Sequence, residues 1–221
     1  MPQNISRRSF VFSLPLAAIG CGGVANAVVS KVVDGRRASI YGVINDPPFK
    51  IKALNLARID QSVLREEVAY HGARATGTII INIAQRRLYL VEGSGRALRF
   101  GIAVGRARVA NFRGSAVIGR KAKWPSWTPT ANMIRRIPKY AAYAGGMPGG
   151  PNNPLGARAL YLYRDGLDTF FRVHGTNEPE SIGRAVSSGC IRLFNHDIVF
   201  LHDRVDIGTP VIVESGTATE T

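Results

Sequence analysis

Between positions 77 and 213 the apolar residues fall in short runs separated by turn residues, a pattern that confines this part of the chain to a β-rich domain. The runs at 78–83, 87–91, 97–104, 159–163, 169–174 and 210–213 are the candidate strands. Their clearest joint is Arg164-Asp165-Gly166-Leu167, because Asp-Gly supplies the two positive φ angles of a type I′ hairpin turn. That hairpin leads straight to His174. Asn195 is a candidate helix N-cap for a segment carrying Ile198, Leu201 and Val205 on one face and ending near Gly208. Residues 59–70 read as a further, amphipathic helix with Val63, Leu64 and Val68 turned inward. Residues 106–154 are rich in Gly, Pro and aromatics and keep no period, which marks a long irregular insertion acting as a lid or substrate wall. Trp124 and Trp127 lie within it, each either a packing anchor or a substrate contact.

The first 27 residues are set aside as a targeting segment. Ser6-Arg7-Arg8-Ser9-Phe10-Val11 has the twin-arginine pattern, a weakly apolar stretch follows, and Ala25-Asn26-Ala27 offers a small-x-small cleavage site. The apolar stretch is too short and too interrupted by Gly and Pro to span a bilayer, which takes roughly 20 apolar residues. Ala18-Ile19-Gly20-Cys21 offers a competing lipid-attachment reading at Cys21, disfavoured because Ala18 is small for the first position of such a box. Residues 28–76 read as an N-terminal arm or linker, 77–215 as the catalytic domain and 216–221 as a tail. The expected location is outside the cytoplasm, in the periplasm, by the twin-arginine route.

The chain carries a formal net charge of +14, and removal of the leader leaves it strongly basic. The basic residues are scattered and no nucleic-acid motif accompanies them, so an anionic envelope polymer is the expected partner rather than nucleic acid. The basic stretch 106–120 reads as a solvated rim. Of the two cysteines, Cys21 falls in the leader, so the mature chain has the single thiol Cys190. A lone thiol in an oxidising compartment is either a buried small hydrophobe or a reactive group.

The residues around it favour reactivity. His174-Gly175 is followed by Ser187-Ser188-Gly189-Cys190-Ile191-Arg192. A thiol attacks as thiolate, and an imidazole within hydrogen-bond reach both takes the proton and supplies positive field. His174 and Cys190 are too far apart to share one helix face but suit a strand end and a returning loop. Gly189 lets the backbone turn tightly, where amides can face a developing oxyanion. Arg192 adds a fixed charge that favours thiolate and binds carboxylate. His196 and His202 do not share a helix face with metal-ligand spacing, so no metal site is expected.

These residues resemble the L,D-transpeptidase (YkuD-like) family, in its Ser-x-Gly-Cys-x-Arg branch. The resemblance extends through Thr78-Ile79-Ile80-Ile81, Arg87-Leu88-Tyr89-Leu90-Val91 and Pro151-Asn152-Asn153-Pro154-Leu155-Gly156. It implies a mostly β, sandwich-like catalytic domain with a few short helices. It also implies Cys190 as nucleophile, His174 as general base and acid, and the Gly175 carbonyl orienting the imidazole. Ser187, Ser188, Gly189 and Arg192 would shape the oxyanion and substrate pocket, with Trp124 and Trp127 as further candidates. Ser188 stands where another branch has a second His, and Arg192 where that branch has Asn.

The activity implied is two-step transfer on peptidoglycan stem peptides. Cys190 attacks the L,D peptide bond, D-alanine leaves, and an amine resolves the thioester, giving a 3–3 cross-link or an anchored envelope lipoprotein. Carbapenem-type β-lactams are the expected inhibitors, and no metal or organic cofactor is required. Two alternatives remain open: a cysteine carboxypeptidase or endopeptidase that passes the thioester to water, and a non-catalytic wall-binding protein.

Overall fold

The computed structural model describes residues 35–106, 112–187 and 189–214. The leader with Cys21, the motif residue Ser188 and the tail 216–221 lie outside the described residues. In chain order the strands are β1 (Ile44–Asp46), β2 (Phe49–Ile51), β3 (Glu66–Ala69), β4 (Ile79–Asn82), β5 (Arg87–Gly93), β6 (Arg96–Gly101), β7 (Val104–Gly105), β8 (Gly114–Lys123), β9 (Arg158–Arg164), β10 (Leu167–His174), β11 (Ala185–Ser187), β12 (Ile191–Arg192) and β13 (Pro210–Glu214). Two short α-helices, α1 (Ala131–Arg136) and α2 (Asn195–His202), fall after β8 and β12. Residues 35–39, which are helical, belong to a separate preceding unit; the unit described below begins at Ile40.

The apolar runs form a mostly β domain, as their spacing predicts. Nine strands make one sheet in the order β12-β10-β9-β8-β13-β4-β5-β6-β3, with β1–β2 and β7–β11 as separate pairs. Ile79, Leu88 and Phe100 from one half of the sheet share a core with Ile118, Leu160 and Val173 from the other, together with Ile198 and Leu201 of α2. Each such side chain, fully buried, stabilises by roughly 1.5–3 kcal/mol relative to exposure. The sheet therefore curls upon itself. Near its closure Ala103, just beyond β6, exchanges 2.9 Å backbone hydrogen bonds with Arg192 of edge strand β12.

The β9–β10 hairpin turns at Asp165 (φ 51°) and Gly166 (φ 78°), the two positive angles the Asp-Gly pair predicts. Ile198 and Leu201 are buried on α2, as their helical spacing predicts, but the helix ends at His202 rather than near Gly208, so the buried Val205 lies beyond it. Several expectations change. Residues 59–70 form no α-helix: a 3₁₀ turn at Gln61–Val63, capped by Asp60, leads into β3. β3 pairs antiparallel with β6, where Glu66 and Glu67 meet Arg99 and Arg96 across the strands. Tertiary pairing overrides the local period: Val63 and Leu64 are buried ahead of the strand, and residues 66–69 are drawn out by their ladder with β6.

The stretch 106–154 is not wholly irregular. β8 lies in the middle of the sheet between β9 and β13, with Ala116 and Ile118 inward. Arg120, at the end of the basic stretch 106–120, is not simply a solvated rim residue, since it stacks over Tyr161; the next residue, Lys121, donates from Nζ to the Val205 carbonyl at 2.5 Å. The Asn195 side chain does not cap α2, whose N-cap position is Phe194. From residue 40 onward the proposed arm packs closely, with Tyr41, Val63, Leu64, Ala103, Ile182 and Phe194 in one buried cluster.

Candidate active site

β10 and β12 run parallel, with Val173 beside Ile191 and His174 beside Arg192. Side chains alternate along a strand, so Val173 and Ile191 face the core while His174, Arg172 and Arg192 share the opposite face. Continuing the register by one residue pair beyond Val173 and Ile191 sets Cys190 beside Arg172. The Cys190 thiol is engaged by the Arg172 backbone N–H, in agreement with that neighbourhood.

His174 is buried, and its Nδ1 lies 2.6 Å from the carbonyl oxygen of Gly175. That contact requires a proton on Nδ1, which leaves Nε2 as the lone-pair nitrogen. Burial and the charges of Arg192 and Arg172 push the imidazole down to about 3, opposed by the Gly175 and Leu155 carbonyls, which favour its protonated form. Burial pushes the Cys190 thiol up, against the Arg172 N–H and the charges of Arg172 and Arg192. Each charge alone is therefore costly. Proton transfer from thiol to imidazole creates both at once as a neutral pair, with the Gly175 and Leu155 carbonyls ready to stabilise the imidazolium.

The loop carrying the thiol is braced from within. Ser187 Oγ donates to the Cys190 carbonyl at 2.7 Å and accepts from the Gly189 N–H at 3.1 Å. Gly189 sits at φ 133°, a conformation that residues with Cβ rarely adopt. The Gly189 amide is thus committed to Ser187. Arg192 is clamped by Glu178, Nη1 to Oε2 at 2.9 Å, which fixes its guanidinium beside His174. Ser188 lies outside the described residues.

The tryptophans make their ring contacts elsewhere. Trp124 meets Phe49 of β2 edge-on at 4.9 Å, and Trp127 meets Tyr140 edge-on at 5.0 Å. Leu155, the first residue after the insertion, reaches the site, and its carbonyl serves His174.

Two contributors carry no mark in the motif. Asn195 Oδ1 accepts from Ala157 N (3.0 Å) and Thr176 N (3.2 Å), and its Nδ2 donates to the Thr176 carbonyl (2.9 Å). It ties Thr176, just past Gly175, and Ala157, just before β9, to the start of α2. Arg172 is the other, and strand alternation back from His174 would have found it.

The family model for the L,D-transpeptidase catalytic domain (YkuD) matches residues 76–213. This chain belongs to that family. Among relatives of the L,D-transpeptidase family, it is 38% identical over 136 residues to the probable L,D-transpeptidase ErfK/SrfK of Escherichia coli, covering 60% of this chain and 42% of that protein. It is 34% identical over 172 residues to the probable L,D-transpeptidase YbiS of the same organism, covering 74% and 51%. The chain thus spans about half the length of the curated relatives it matches. A crystal structure from Brucella melitensis, described as a probable carnitine operon oxidoreductase, is 44% identical and covers 74% of this chain and 99% of its own, with a TM-score of 0.48.

Proposed function

We propose that this protein is an exported peptidoglycan L,D-transpeptidase acting through a Cys190–His174 dyad. The observation that supports the reading is the β10–β12 register, which brings the residues that directly follow Cys190 alongside the strand ending in the buried, tautomer-fixed imidazole of His174. As the sulfur bonds to the carbonyl carbon of the L,D peptide bond, His174 Nε2 accepts the thiol proton. Collapse of the tetrahedral adduct breaks the C–N bond, the imidazolium returns the proton to the departing D-alanine amine, and a thioester remains. An acceptor amine then attacks that thioester, His174 takes its proton, and the thiolate leaves and is reprotonated. The acceptor is another stem peptide or an amine on an envelope lipoprotein. The twin-arginine pattern at Arg7-Arg8 and the strongly basic balance support an anionic, extracytoplasmic substrate.

The test is mass spectrometry of purified protein, wild type beside Cys190→Ala, incubated with a disaccharide-tetrapeptide carrying diaminopimelate. A cross-linked dimer formed by the wild type alone is expected. Tripeptide without dimer would assign hydrolysis, and product formation that survives Cys190→Ala would overturn the dyad.

A further inference from the structure

Extending the strand registers across the sheet reveals a row of side chains running away from the thiol. Arg120 of β8 pairs with Tyr161 of β9, Tyr161 pairs with Arg172 of β10, and Arg172 neighbours Cys190. The Arg120 guanidinium carbon lies 3.4 Å from the centre of the Tyr161 ring and that of Arg172 lies 4.6 Å from it, so the ring is flanked from the strand on each side. Such stacking holds a guanidinium in place while leaving its in-plane N–H groups free to bind an anion.

The arginines on this face differ in what already neutralises them. Arg172 is held by both carboxylate oxygens of Asp168, at 3.4 and 3.1 Å, through a bulge that breaks the register between the two residues. Arg192 is held by Glu178. Arg120 is exposed and, among the described residues, has no carboxylate within ion-pair distance. It is a cation oriented by an aromatic ring and lacking a counter-charge, on the same face as the nucleophile.

We propose that Arg120, stacked on Tyr161 and buttressed by the Asp168–Arg172 pair, is a carboxylate-recognising subsite for the peptide that Cys190 attacks. This rests on the transpeptidase reading above and adds a substrate determinant to it. Because the guanidinium leans over β9, it sits about two strand spacings, roughly 10 Å, from the strand carrying the thiol. The carboxylate it reads therefore lies about 10 Å from the attacked carbonyl, the span of about three extended residues. It belongs to the stem peptide beyond the reacting residue, not to the departing amino acid. Arg172 is a positioning residue, setting the ring and presenting its own N–H to the sulfur.

The experiment separates binding from turnover by using the full chain with Cys190→Ala and isothermal titration calorimetry. Two stem tetrapeptides are compared, one with free carboxylates along the stem and one with those groups converted to carboxamides. The subsite predicts that Arg120→Ala weakens binding of the carboxylate peptide about tenfold, the scale of one exposed charge-assisted pair, and leaves the carboxamide peptide unchanged. Arg120→Lys, which keeps the charge and loses the planar stack, should fall between. Equal weakening for both peptides, no weakening for either, or binding of neither peptide by the Cys190→Ala parent would overturn the subsite. Discrimination by Arg120 in a protein whose wild type forms no cross-link would instead leave the subsite standing and overturn the transferase reading.

Discussion

His174 Nδ1 and the Gly175 carbonyl oxygen, 2.6 Å apart, are neighbours in sequence that fix the tautomer of a buried ring. Just past the end of β10, Asn195 holds the next residue, accepting from the Thr176 N–H and donating to its carbonyl. The imidazole therefore presents Nε2 without needing a third charged residue. A carbonyl orients the ring as a carboxylate would, but adds no net negative charge to a buried site already facing Arg172 and Arg192.

One consequence concerns the resting thiol. Burial raises Cys190 and lowers His174, so the free protein holds a neutral thiol beside a neutral imidazole. Alkylation of Cys190 by iodoacetamide, followed by mass spectrometry, should accelerate about tenfold per pH unit from about pH 6 to about pH 9 without levelling off. A plateau already reached below about pH 7 would reveal a resident thiolate–imidazolium pair and contradict the dominance of desolvation.

Gly175 is required for close approach. A Cβ there would run into Asn195 Oδ1, the atom that binds Ala157 N and Thr176 N. Gly175→Ala should cost about 1–3 kcal/mol by overpacking and, by displacing the carbonyl from Nδ1, lower activity more than stability loss explains. Asn195→Ala removes the obstructing atom, so the double variant should be less destabilised than the two single losses added together. Urea titration of the cycle reads this directly, and strict additivity would mean the two residues do not meet.

The hairpin at Asp165-Gly166 is legible in the chain because it is local, a turn requiring two positive φ angles, and the Cys190 motif stands out as a candidate because a thiol nucleophile requires a base. β8 is not legible in the same way. Arg120 and Lys121 look like solvated charge until Tyr161 and the Val205 carbonyl, both remote in sequence, arrive beside them. Asn195 misleads for a related reason. A side-chain amide preceding an apolar helix usually caps it, yet here Thr176 and Ala157 offer backbone partners that complete both ends of the amide. The β10–β12 pairing that brings the segment after Cys190 to the strand of His174 is parallel and crosses a loop, so no local periodicity announces it.

Asp197 makes stability depend on pH. It is fully buried, with the Tyr41 hydroxyl 3.2 Å from both carboxylate oxygens and Arg65 at 3.7 Å. Desolvation outweighs Arg65, and the carboxyl is pushed up to about 7. The folded chain thus holds the proton more tightly than the unfolded one, whose carboxyl titrates near about 4. This group's contribution to stability is present at low pH and lost as pH rises from about 4 to about 7. His174, His196 and His202 are depressed by burial and slope the other way, weakening the fold as pH drops below about 6.5. Comparing Asp197→Asn with wild type cancels their effect. The melting temperature of the variant, relative to wild type, should improve between about pH 5 and about pH 8, and a constant difference would show that Asp197 does not titrate there.

The segment before β4 is held by charge as well as by packing. Asp46 of β1 grips the buried Arg158 side chain at both ends, with Nη1–Oδ2 at 2.6 Å and Nη2–Oδ1 at 2.7 Å. Arg158 in turn offers its carbonyl to Gly175 N at 3.0 Å, directly behind His174. Asp46→Ala would leave a buried guanidinium without a counter-ion, at a cost of about 3 kcal/mol. For a domain of this size that corresponds to a melting temperature lower by roughly 10 °C. Arg158 also holds the Asp46 carboxyl below its ordinary value, so the pair's contribution is present above about pH 4 and lost as pH falls through the depressed folded value. Asp46→Ala should therefore lose part of the wild type's acid sensitivity. Asp46→Ala with Arg158→Met should recover much of the lost stability at neutral pH, because the penalty comes from the orphaned charge. Failure of the double variant to recover would place the energy in the pair itself rather than in the desolvated arginine.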